Sequence, residues 1–419
     1  MDKLLAIVFL CWGIYCLDAQ TKNDTICDKD IHTIQLYVEG WEMSNPVIFL
    51  NSQDKLHLSF DDLSGNPKKL YYTIIHCNEK WEQENVSYYE IAEGFESNPL
   101  MDYKYSVSTV VNYLHYDLIF PNENCRPIVS GNYLLIVFAD NDIEKVVFQR
   151  KFYVVEKSAI IDFRIIKPEI ARYMQRQHQF YLVVTPDVQN SIDLRSEIKA
   201  VVVQNFNFNT RKTCYLAQLQ DNKILVYDNP DSNLFMGLNE FRNFDIKSIR
   251  YQSPRIKSIS YLMNWYEVVL HPDSWRNKKQ YFSEQDINGK FFIENSNGKT
   301  KDIDADYVMV YFRLLTPDSL ERGNLYVNGA FNNWQCNEYS RLKYDALEHA
   351  YKINLLLKQG YYNYLFVYKE APSSIPDYVF VERSHYETEN EYQAFIYYQM
   401  PGERYQRLIG YAVANSLHK

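Results

Sequence analysis

Apolar and polar residues alternate with a period of two along much of this chain. Leu56, Leu58 and Phe60 are separated by polar neighbours, so they fall on one face of an extended segment. Similar segments recur along the whole length, with turn-forming residues between them. The pattern predicts an all-β protein made of immunoglobulin-like β-sandwiches in tandem. The predicted strands include 56–60, 70–75, 132–138, 146–148, 180–184, 200–203, 256–261, 291–293, 307–315, 324–327 and 361–368.

A hairpin is predicted where strands 132–138 and 146–148 flank the turn residues 139–142. Tyr133 follows a Ser-Gly turn at the start of the first of these strands. Two interpretations of this tyrosine stay open. Its hydroxyl bonds back across the corner of a sandwich, or Tyr133 is an ordinary strand residue.

Two breaks in the strand pattern predict three domains after a leader. The first break lies at 156–158, where an apolar run ends, and the second at the turn residues 298–300. At roughly 100–200 residues per domain, a chain of 419 residues has room for this number. The predicted division is a signal peptide at 1–19, an N-terminal sandwich at 20–157, a middle sandwich at 158–300 and a C-terminal sandwich at 301–419.

The N-terminal residues have the pattern of an export signal. A charged start with Lys3 precedes an apolar run over 4–15, which is shorter than the roughly 20 residues that span a membrane. Cleavage after Ala19 is predicted, and lipoprotein processing at Cys16 is disfavoured because Tyr15 is bulky. No later stretch is long and apolar enough to span a bilayer.

The composition narrows the function classes. The net charge is −9, which argues against a nucleic-acid partner and against anionic lipid surfaces, since both attract basic proteins. The chain contains 37 Tyr and 23 Phe, and such aromatic residues favour pleated strands. These numbers agree with an exported β-protein.

Five cysteines follow the predicted signal peptide. None of them forms a CxxC pair, so no zinc site is expected. An odd number leaves at least one thiol without a partner in the chain. A bond between two of them, Cys77 and Cys125, stays open, whereas small buried thiols are the favoured interpretation for most of the five. The five are Cys27, Cys77, Cys125, Cys214 and Cys336.

Adjacent and alternating acids in the sequence are candidates for catalytic pairs. Asp61 and Asp62 are neighbours in a strand pattern and point to opposite faces, so a turn that opens at Asp62 is the favoured interpretation. His115 and Asp117 share one face of a predicted strand, and we expect them to form a solvated pair. No hydrolase or nucleotide-binding motif is present. The sequence thus predicts no catalytic residues and no cofactor.

Asp302, Asp304 and Asp306 are candidate ligands for a metal ion. Their spacing places three carboxylates on one face of a strand, but calcium sites usually have a glycine-bearing loop that this segment lacks. No metal site is therefore predicted.

A segment near residue 330 resembles the Gly-x-Phe-Asn-x-Trp signature of early-set sandwiches, which occur in starch-branching enzymes and glycogen-binding modules. Phe331 and Trp334 carry the resemblance, which implies a glycan-binding protein of the periplasm or cell surface as an alternative function. Sugar binding needs exposed aromatic faces. The favoured interpretation is that both side chains fill the end of the sandwich.

Longer motifs resemble one specific family, the plug proteins of the type IX secretion system, over nearly the whole mature chain. The first domain carries most of them, and others lie near residues 240, 390 and 405. The motifs are Trp41-Glu42-Met43-Ser44-Asn45-Pro46, Leu58-Ser59-Phe60-Asp61-Asp62-Leu63, Ile75-His76-Cys77-Asn78, Asn239-Glu240-Phe241-Arg242-Asn243-Phe244, Tyr386-Glu387-Thr388-Glu389-Asn390 and Pro401-Gly402-Glu403-Arg404-Tyr405.

This resemblance implies a function. Such plug proteins are periplasmic and seal the periplasmic opening of the outer-membrane translocon barrel, which is the partner that the resemblance implies. The family supplies no catalytic residues and no known barrel-contacting motif, so the partner-binding residues are left unassigned.

Overall fold

The structure is a computed structural model that describes residues 24–189, 191–214, 217–372 and 374–417. The predicted signal peptide and its cleavage site lie outside the described residues. The described part consists of thirty strands, three single-turn helices and one 3₁₀ turn, which confirms the predicted all-β class. No helix among these residues has the length and apolar character to cross a bilayer.

The first sandwich joins a sheet of six strands to a sheet of four, and apolar side chains from both sheets fill the space between them. Leu56, Leu58 and Phe60 are buried there, as the alternation predicts. Its elements are β1 (Thr25–Ile26), β2 (Ile31–Val38), β3 (Val47–Phe49), β4 (Leu56–Asp62), β5 (Leu70–Cys77), α1 (Tyr88–Ile91), β6 (Ala92–Gly94), β7 (Asn98–Leu100), β8 (Tyr103–Tyr105), β9 (Leu114–Phe120), β10 (Cys125–Pro127), β11 (Gly131–Ala139) and β12 (Val146–Val155). The larger sheet has the order β1-β12-β11-β5-β7, with β3 beside β12, and the smaller has the order β2-β4-β9-β8.

The predicted hairpin is the antiparallel pair β11 and β12. At its start, the Tyr133 hydroxyl donates to the carbonyl oxygen of Val129 at 2.8 Å. The structure therefore shows the first of the two interpretations of Tyr133: its hydroxyl forms a hydrogen bond across the corner of the sandwich.

The rest of the chain forms two more sandwiches. The elements up to the third helix are β13 (Ala159–Ile166), β14 (Gln177–Pro186), α2 (Leu194–Glu197), β15 (Ile198–Gln204), β16 (Asn207–Cys214), β17 (Gln218–Gln220), β18 (Ile224–Tyr227), β19 (Leu234–Met236), β20 (Arg242–Asp245), β21 (Ile256–Leu262), β22 (Trp265–Leu270), β23 (Phe291–Ile293) and α3 (Lys301–Asp304). The elements after it are β24 (Tyr307–Leu315), β25 (Asn324–Asn328), the 3₁₀ turn Ala330–Asn332, β26 (Lys343–Asp345), β27 (Ala350–Lys358), β28 (Gly360–Lys369), β29 (Glu391–Tyr398) and β30 (Arg407–Asn415).

Strand pairing runs across the predicted boundary at residue 300. The second sandwich consists of the sheet β13-β14-β18-β17, with β19 beside β14, and the sheet β16-β15-β29-β30. The third consists of β20-β28-β23, with β25 beside β28, and β21-β22-β24-β27-β26. The third sandwich is thus inserted into the second. The predicted division at 300 departs from the pairing because periodicity shows which face of a strand is buried, not which strand lies beside it.

The first and second sandwiches pack together through an apolar layer. Strand β11 is buried along its length, because Leu135 and Val137 face the first core while Leu134 and Ile136 face the second sandwich. A strand buried on both faces lacks alternation, and the apolar run at 133–138 has that pattern. The side chains opposite include Val201, Val203, Phe395, Tyr397 and Leu408.

Candidate functional site

The outer face of the smaller sheet of the first sandwich meets the third sandwich. Strands β4 and β9 pair so that Asp61 lies opposite His115 and Ser59 lies opposite Asp117. Because side chains alternate along a strand, the residue after the buried Phe60 points away from the first core. The alternation therefore directs the Asp61 carboxylate at the neighbouring sandwich.

Asp61 is the centre of a buried ionic junction between the two sandwiches. Its Oδ1 accepts a hydrogen bond from Nδ1 of His115 at 2.6 Å, and its Oδ2 accepts bonds from the Tyr307 hydroxyl at 2.6 Å and from Nζ of Lys358 at 2.7 Å. Asp61 and Tyr307 are fully buried, and Lys358 is 1% exposed. Two residues of the third sandwich thus bind one carboxylate of the first.

Lys358 has further partners around its ammonium group. Its Nζ donates to the carbonyl oxygen of Asp302 at 2.7 Å and lies 4.2 Å from the ring centroid of Tyr113. The Tyr113 hydroxyl donates to the carbonyl oxygen of Ala305 at 2.8 Å. The lysine charge is therefore compensated on all sides by the carboxylate, a carbonyl oxygen and an aromatic face.

Backbone hydrogen bonds extend the junction along one loop of the first sandwich. The two carboxylate oxygens of Asp306 accept the N–H groups of Val110 and Val111 at 2.7 and 3.0 Å. The N–H of Val107 donates to the carbonyl oxygen of Ile303 at 2.8 Å. These bonds order the 107–111 loop against α3, so the first sandwich is attached through both side chains and main chain.

His115 and Asp117 do pair, with Nε2 of His115 3.3 Å from Oδ1 of Asp117, but the pair is largely buried and not solvated as predicted. His115 is only 4% exposed and also bonds to Asp61 through Nδ1. Asp117 accepts a further bond from His57 at 2.7 Å. Sequence spacing placed both residues on one face but did not show that another domain covers it.

Asp61 and Asp62 point in opposite directions, as expected for strand neighbours. Asp62 is the last residue of β4, and its Oδ1 accepts the N–H of Ser64 at 2.9 Å in the turn that opens there, as predicted. Asp62 pairs with Lys68 at 3.2 Å and does not approach the partners of Asp61. The two carboxylates therefore form no catalytic dyad.

The junction fixes the ionisation of its members. Burial by itself raises the pKa of Asp61, but the Lys358 ammonium and the bond from His115 outweigh burial and hold that pKa below its ordinary value. Burial by itself lowers the pKa of His115, but the bonds to Asp117 and Asp61 raise it to about 9. At neutral pH the junction thus contains an ionised aspartate and an imidazolium.

This ionisation predicts a loss of stability at alkaline pH. The pKa of His115 in the folded protein, about 9, lies above its ordinary value of 6.5, so its contribution is complete below pH 6.5 and is lost as the pH rises through 9. Urea unfolding between pH 6 and 10 tests this. We expect the wild-type protein to lose about 3 kcal/mol more than His115→Asn over that range. If the free energy of unfolding changes with pH in the same way in both proteins, His115 does not have a raised pKa in the folded state.

A second buried network lies inside the third sandwich. Arg242 donates from Nε and Nη2 to the two oxygens of Glu382 at 2.9 Å each, and from Nη1 to Asp273 at 2.8 Å. Asp273 also accepts the Tyr364 hydroxyl at 2.6 Å, and Glu382 accepts the N–H of Phe366 at 3.0 Å. Arg242 lies in a motif that the sequence analysis singled out, and here it joins β20 to the segment between β28 and β29.

The structure does not bring the other weighed acids together. Residues 301–304 form α3, so Asp302, Asp304 and Asp306 do not line a strand face as the spacing suggested. Asp304 accepts the N–H groups of Lys299 and Thr300, which close the turn before the helix. Among the described residues, no three His, Cys, Asp or Glu side chains are grouped so that they could hold a metal ion.

Phe331 and Trp334 pack against the third sandwich. Trp334 is 8% exposed and contacts the ring of Phe241 edge-on, with centroids 5.9 Å apart. Phe331 is half-buried against Tyr362. A sugar platform needs exposed aromatic faces, so this geometry favours the structural interpretation of both residues.

Three of the five cysteines are small buried residues, as predicted for most of them. Cys77, Cys125 and Cys214 are buried, Cys27 is exposed and Cys336 is half-buried, and Cys77 and Cys125 are separate thiols. Burial raises the pKa of Cys125 to about 11 and that of Cys77 and Cys214 to about 12, so these thiols stay protonated and unreactive at neutral pH.

Tyr307 and Lys358 are the functional residues that sequence analysis missed. Lys358 ends an apolar strand and lies 297 residues from Asp61. A lysine inside such a run is a weak signal for a buried charge. No local pattern indicates its partner.

The fold and the junction define a class: a multi-sandwich β-protein in which buried ion pairs join one domain to the others. Both oxygens of the Asp61 carboxylate are already bonded within the junction.

Residues 31–156 match the family model of the Type 9 secretion system plug protein 1st domain. The match runs from the first residue of β2 to just past β12 and includes Asp61 and His115. The first sandwich therefore belongs to this family of plug proteins, which associates the chain with type IX secretion in the cell envelope.

A crystal structure of a hypothetical protein from Parabacteroides merdae ATCC 43184 is similar to almost the whole chain. The two are 29% identical, the TM-score is 0.90, and the match covers 94% of this chain and 99% of that chain. The three-sandwich arrangement thus occurs in another protein.

Two other solved structures match at TM-scores too low to support an argument. An alkylpurine DNA glycosylase, AlkC, from Pseudomonas fluorescens, bound to DNA with an abasic site analog, has 12% identity over 30% of each chain and a TM-score of 0.17. The BSP domain of a biofilm associated protein has 8% identity over 94% of this chain and 60% of that chain, with a TM-score of 0.18. No curated protein matches the chain.

Proposed function

We propose that this protein is the periplasmic subunit that closes the type IX translocon, the outer-membrane barrel through which substrates pass. It acts by steric occlusion of the periplasmic opening and carries out no chemistry. The observation that carries the proposal is the match of the first sandwich to the plug-protein domain, together with the attachment of that domain to the third sandwich at Asp61.

The contacts between the three sandwiches support a role in closing a pore. The first sandwich is attached to the second through an apolar layer and to the third through buried ion pairs and loop hydrogen bonds. Domains in one chain usually move relative to each other unless their interface is large and well packed. A body held at two faces resists deformation, as a seal over a wide aqueous pore requires.

A protruding hairpin is the surface that we assign to the barrel. Strands β21 and β22 are joined by Met263 and Asn264, both with positive φ, as a tight two-residue turn requires. Tyr261, Leu262 and Met263 are 57%, 50% and 80% exposed. Apolar side chains concentrated at one exposed tip are typical of protein-binding surfaces.

The position of this hairpin also supports the assignment. In the parallel pair β22 and β24, Tyr266 lies opposite Val308, so Trp265 lies beside Tyr307 of the junction. The hairpin therefore extends from the end of the sheet at which the plug-family sandwich is attached. A barrel rim seated there contacts both parts of the molecule.

Affinity purification from native outer membranes tests the proposed function. A tagged chain is captured in mild detergent, and its partners are identified by mass spectrometry. We expect a very large outer-membrane barrel protein of the secretion system to co-purify. Recovery of the chain alone, with no envelope leak when its gene is deleted, would contradict the proposal.

The hairpin assignment predicts a loss of binding without a loss of stability. Replacing Tyr261, Leu262 and Met263 by Ser is expected to weaken barrel capture by roughly tenfold or more, because exposed apolar anchors dominate such interfaces. The thermal midpoint is expected to stay unchanged since these side chains are largely exposed. The control is Leu347→Ser, in the turn between β26 and β27 at the other edge of the same sheet. Equal binding by both variants would exclude the hairpin as the contact.

A further inference from the structure

A cavity of about 680 Å³ lies where the three sandwiches meet. Its walls include Leu36 and Arg150 of the first sandwich, Phe208 of the second, and Phe291 and Trp334 of the third. The volume falls in the range of small-molecule sites, about 300–1,000 Å³. Neither Asp61 nor Arg242 lines it, so it is separate from both ionic networks.

Arg150 is a buried cation in this cavity whose donors are mostly unused. It is 5% exposed, its Nη1 donates to the carbonyl oxygen of Gln149 at 2.9 Å, and its Nε has no hydrogen-bond partner. No carboxylate among the described residues forms an ion pair with it, although Asp24 attracts it through space. A buried guanidinium without a directly bonded counter-ion is costly, and an oxyanion is the ligand that matches its planar set of donors.

The charges around the cavity favour an anion. Four cations and two carboxylates line it, which gives a net charge of +2 on a chain whose overall net charge is −9. One of the carboxylates, Glu42, is already occupied by Lys301, by Gln35 and by the N–H of Ile293. Among the cations, Lys290 and Lys369 donate to the carbonyl oxygens of Met43 and Pro372. The charged lining residues are Arg150, Lys151, Lys290, Lys369, Asp24 and Glu42.

The other lining groups indicate the chemistry attached to the anion. Seven side-chain amides lie in the walls, and amides bond well to peptide groups, while Phe206 and Phe208 provide an apolar surface. The amides are Gln35, Asn45, Asn205, Asn209, Asn333, Gln335 and Asn337.

We propose that this cavity binds the carboxylate group of a short acidic peptide segment, with Arg150 as the residue that bonds the carboxylate. The site lies apart from the hairpin assigned to the barrel. If the cavity binds no acidic peptide, the proposed occlusion of the barrel is unaffected.

Calorimetric titration of the chain without its predicted signal peptide, residues 20–419, tests the site. The probes are tetraglutamate, the neutral tetraglutamine and inorganic phosphate. We expect tetraglutamate to bind, tetraglutamine not to bind, and Arg150→Gln to weaken tetraglutamate binding by roughly tenfold or more. Binding of phosphate without tetraglutamate, lost in Arg150→Gln, would show a free oxyanion at Arg150 and would overturn the acidic-peptide assignment.

Two further variants keep the test independent of folding. Arg126→Gln removes an exposed arginine that pairs with Glu93, and it is expected to bind as the wild type does. Lys290→Gln removes another lining cation and is expected to weaken binding, even if Arg150→Gln does not fold. A folded Arg150→Gln is expected to match or exceed the wild-type thermal midpoint, because an uncompensated buried charge is removed. Absence of anion binding, or binding unchanged in both Arg150→Gln and Lys290→Gln, would overturn the proposal.

Discussion

Replacing Asp61 by Ala is expected to lower the free energy of unfolding by about 3–5 kcal/mol, the usual effect of breaking a buried ion pair from one side. The substitution leaves the Lys358 ammonium 1% exposed with no carboxylate beside it. His115 and the Tyr307 hydroxyl lose their shared acceptor in the same step. Most of the loss comes from leaving buried donors without an acceptor, and less from losing the attraction between Asp61 and Lys358.

Urea denaturation measures this effect, and two comparisons make it specific. Asp140→Ala removes an exposed carboxylate paired with Lys145 and should leave stability essentially unchanged. The double variant Asp61→Asn with Lys358→Met removes both charges and should recover much of the loss. If Asp61→Ala is as stable as Asp140→Ala, the junction does not hold the sandwiches together.

Replacing Glu382 by Ala is expected to destabilise the third sandwich by a similar amount, about 3–5 kcal/mol. Glu382 is fully buried and accepts two bonds from Arg242 and one from the N–H of Phe366. Asp273 still faces Arg242 in the variant, but two of the guanidinium donors and one backbone donor lose their acceptor.

Unfolding followed by tryptophan fluorescence tests this second expectation. Glu348→Ala is the matched control, since Glu348 is exposed and pairs with Arg313 and Lys352 at the surface. We expect a clear fall in the denaturation midpoint for Glu382→Ala alone. Equal midpoints for the two variants would show that the network contributes no net stability.

The parts of the fold that depend on local pattern were predictable from the sequence. The alternation at Leu56, Leu58 and Phe60 identified the buried face of β4, and the apolar run at 132–138 identified β11. Both follow because the backbone fixes the side-chain direction within a strand. The all-β class follows from such segments.

The parts that depend on distant partners were not predictable. The same alternation that buried Phe60 also directed Asp61 outward, where a solvated side chain is the ordinary expectation. Its partner Lys358 is 297 residues away, in a sandwich whose insertion into the second one no periodicity reveals. The motif around Arg242 was visible as a resemblance, but its bonds to Glu382 needed the folded chain.

Conductance of the purified translocon barrel in a planar bilayer is the most direct test of occlusion. The barrel is opened first, and the protein is then added from the side that corresponds to the periplasm. We expect the conductance to fall in discrete steps to the closed level and to recover when the protein is washed away. Full conductance with the protein demonstrably bound to the barrel would contradict the account.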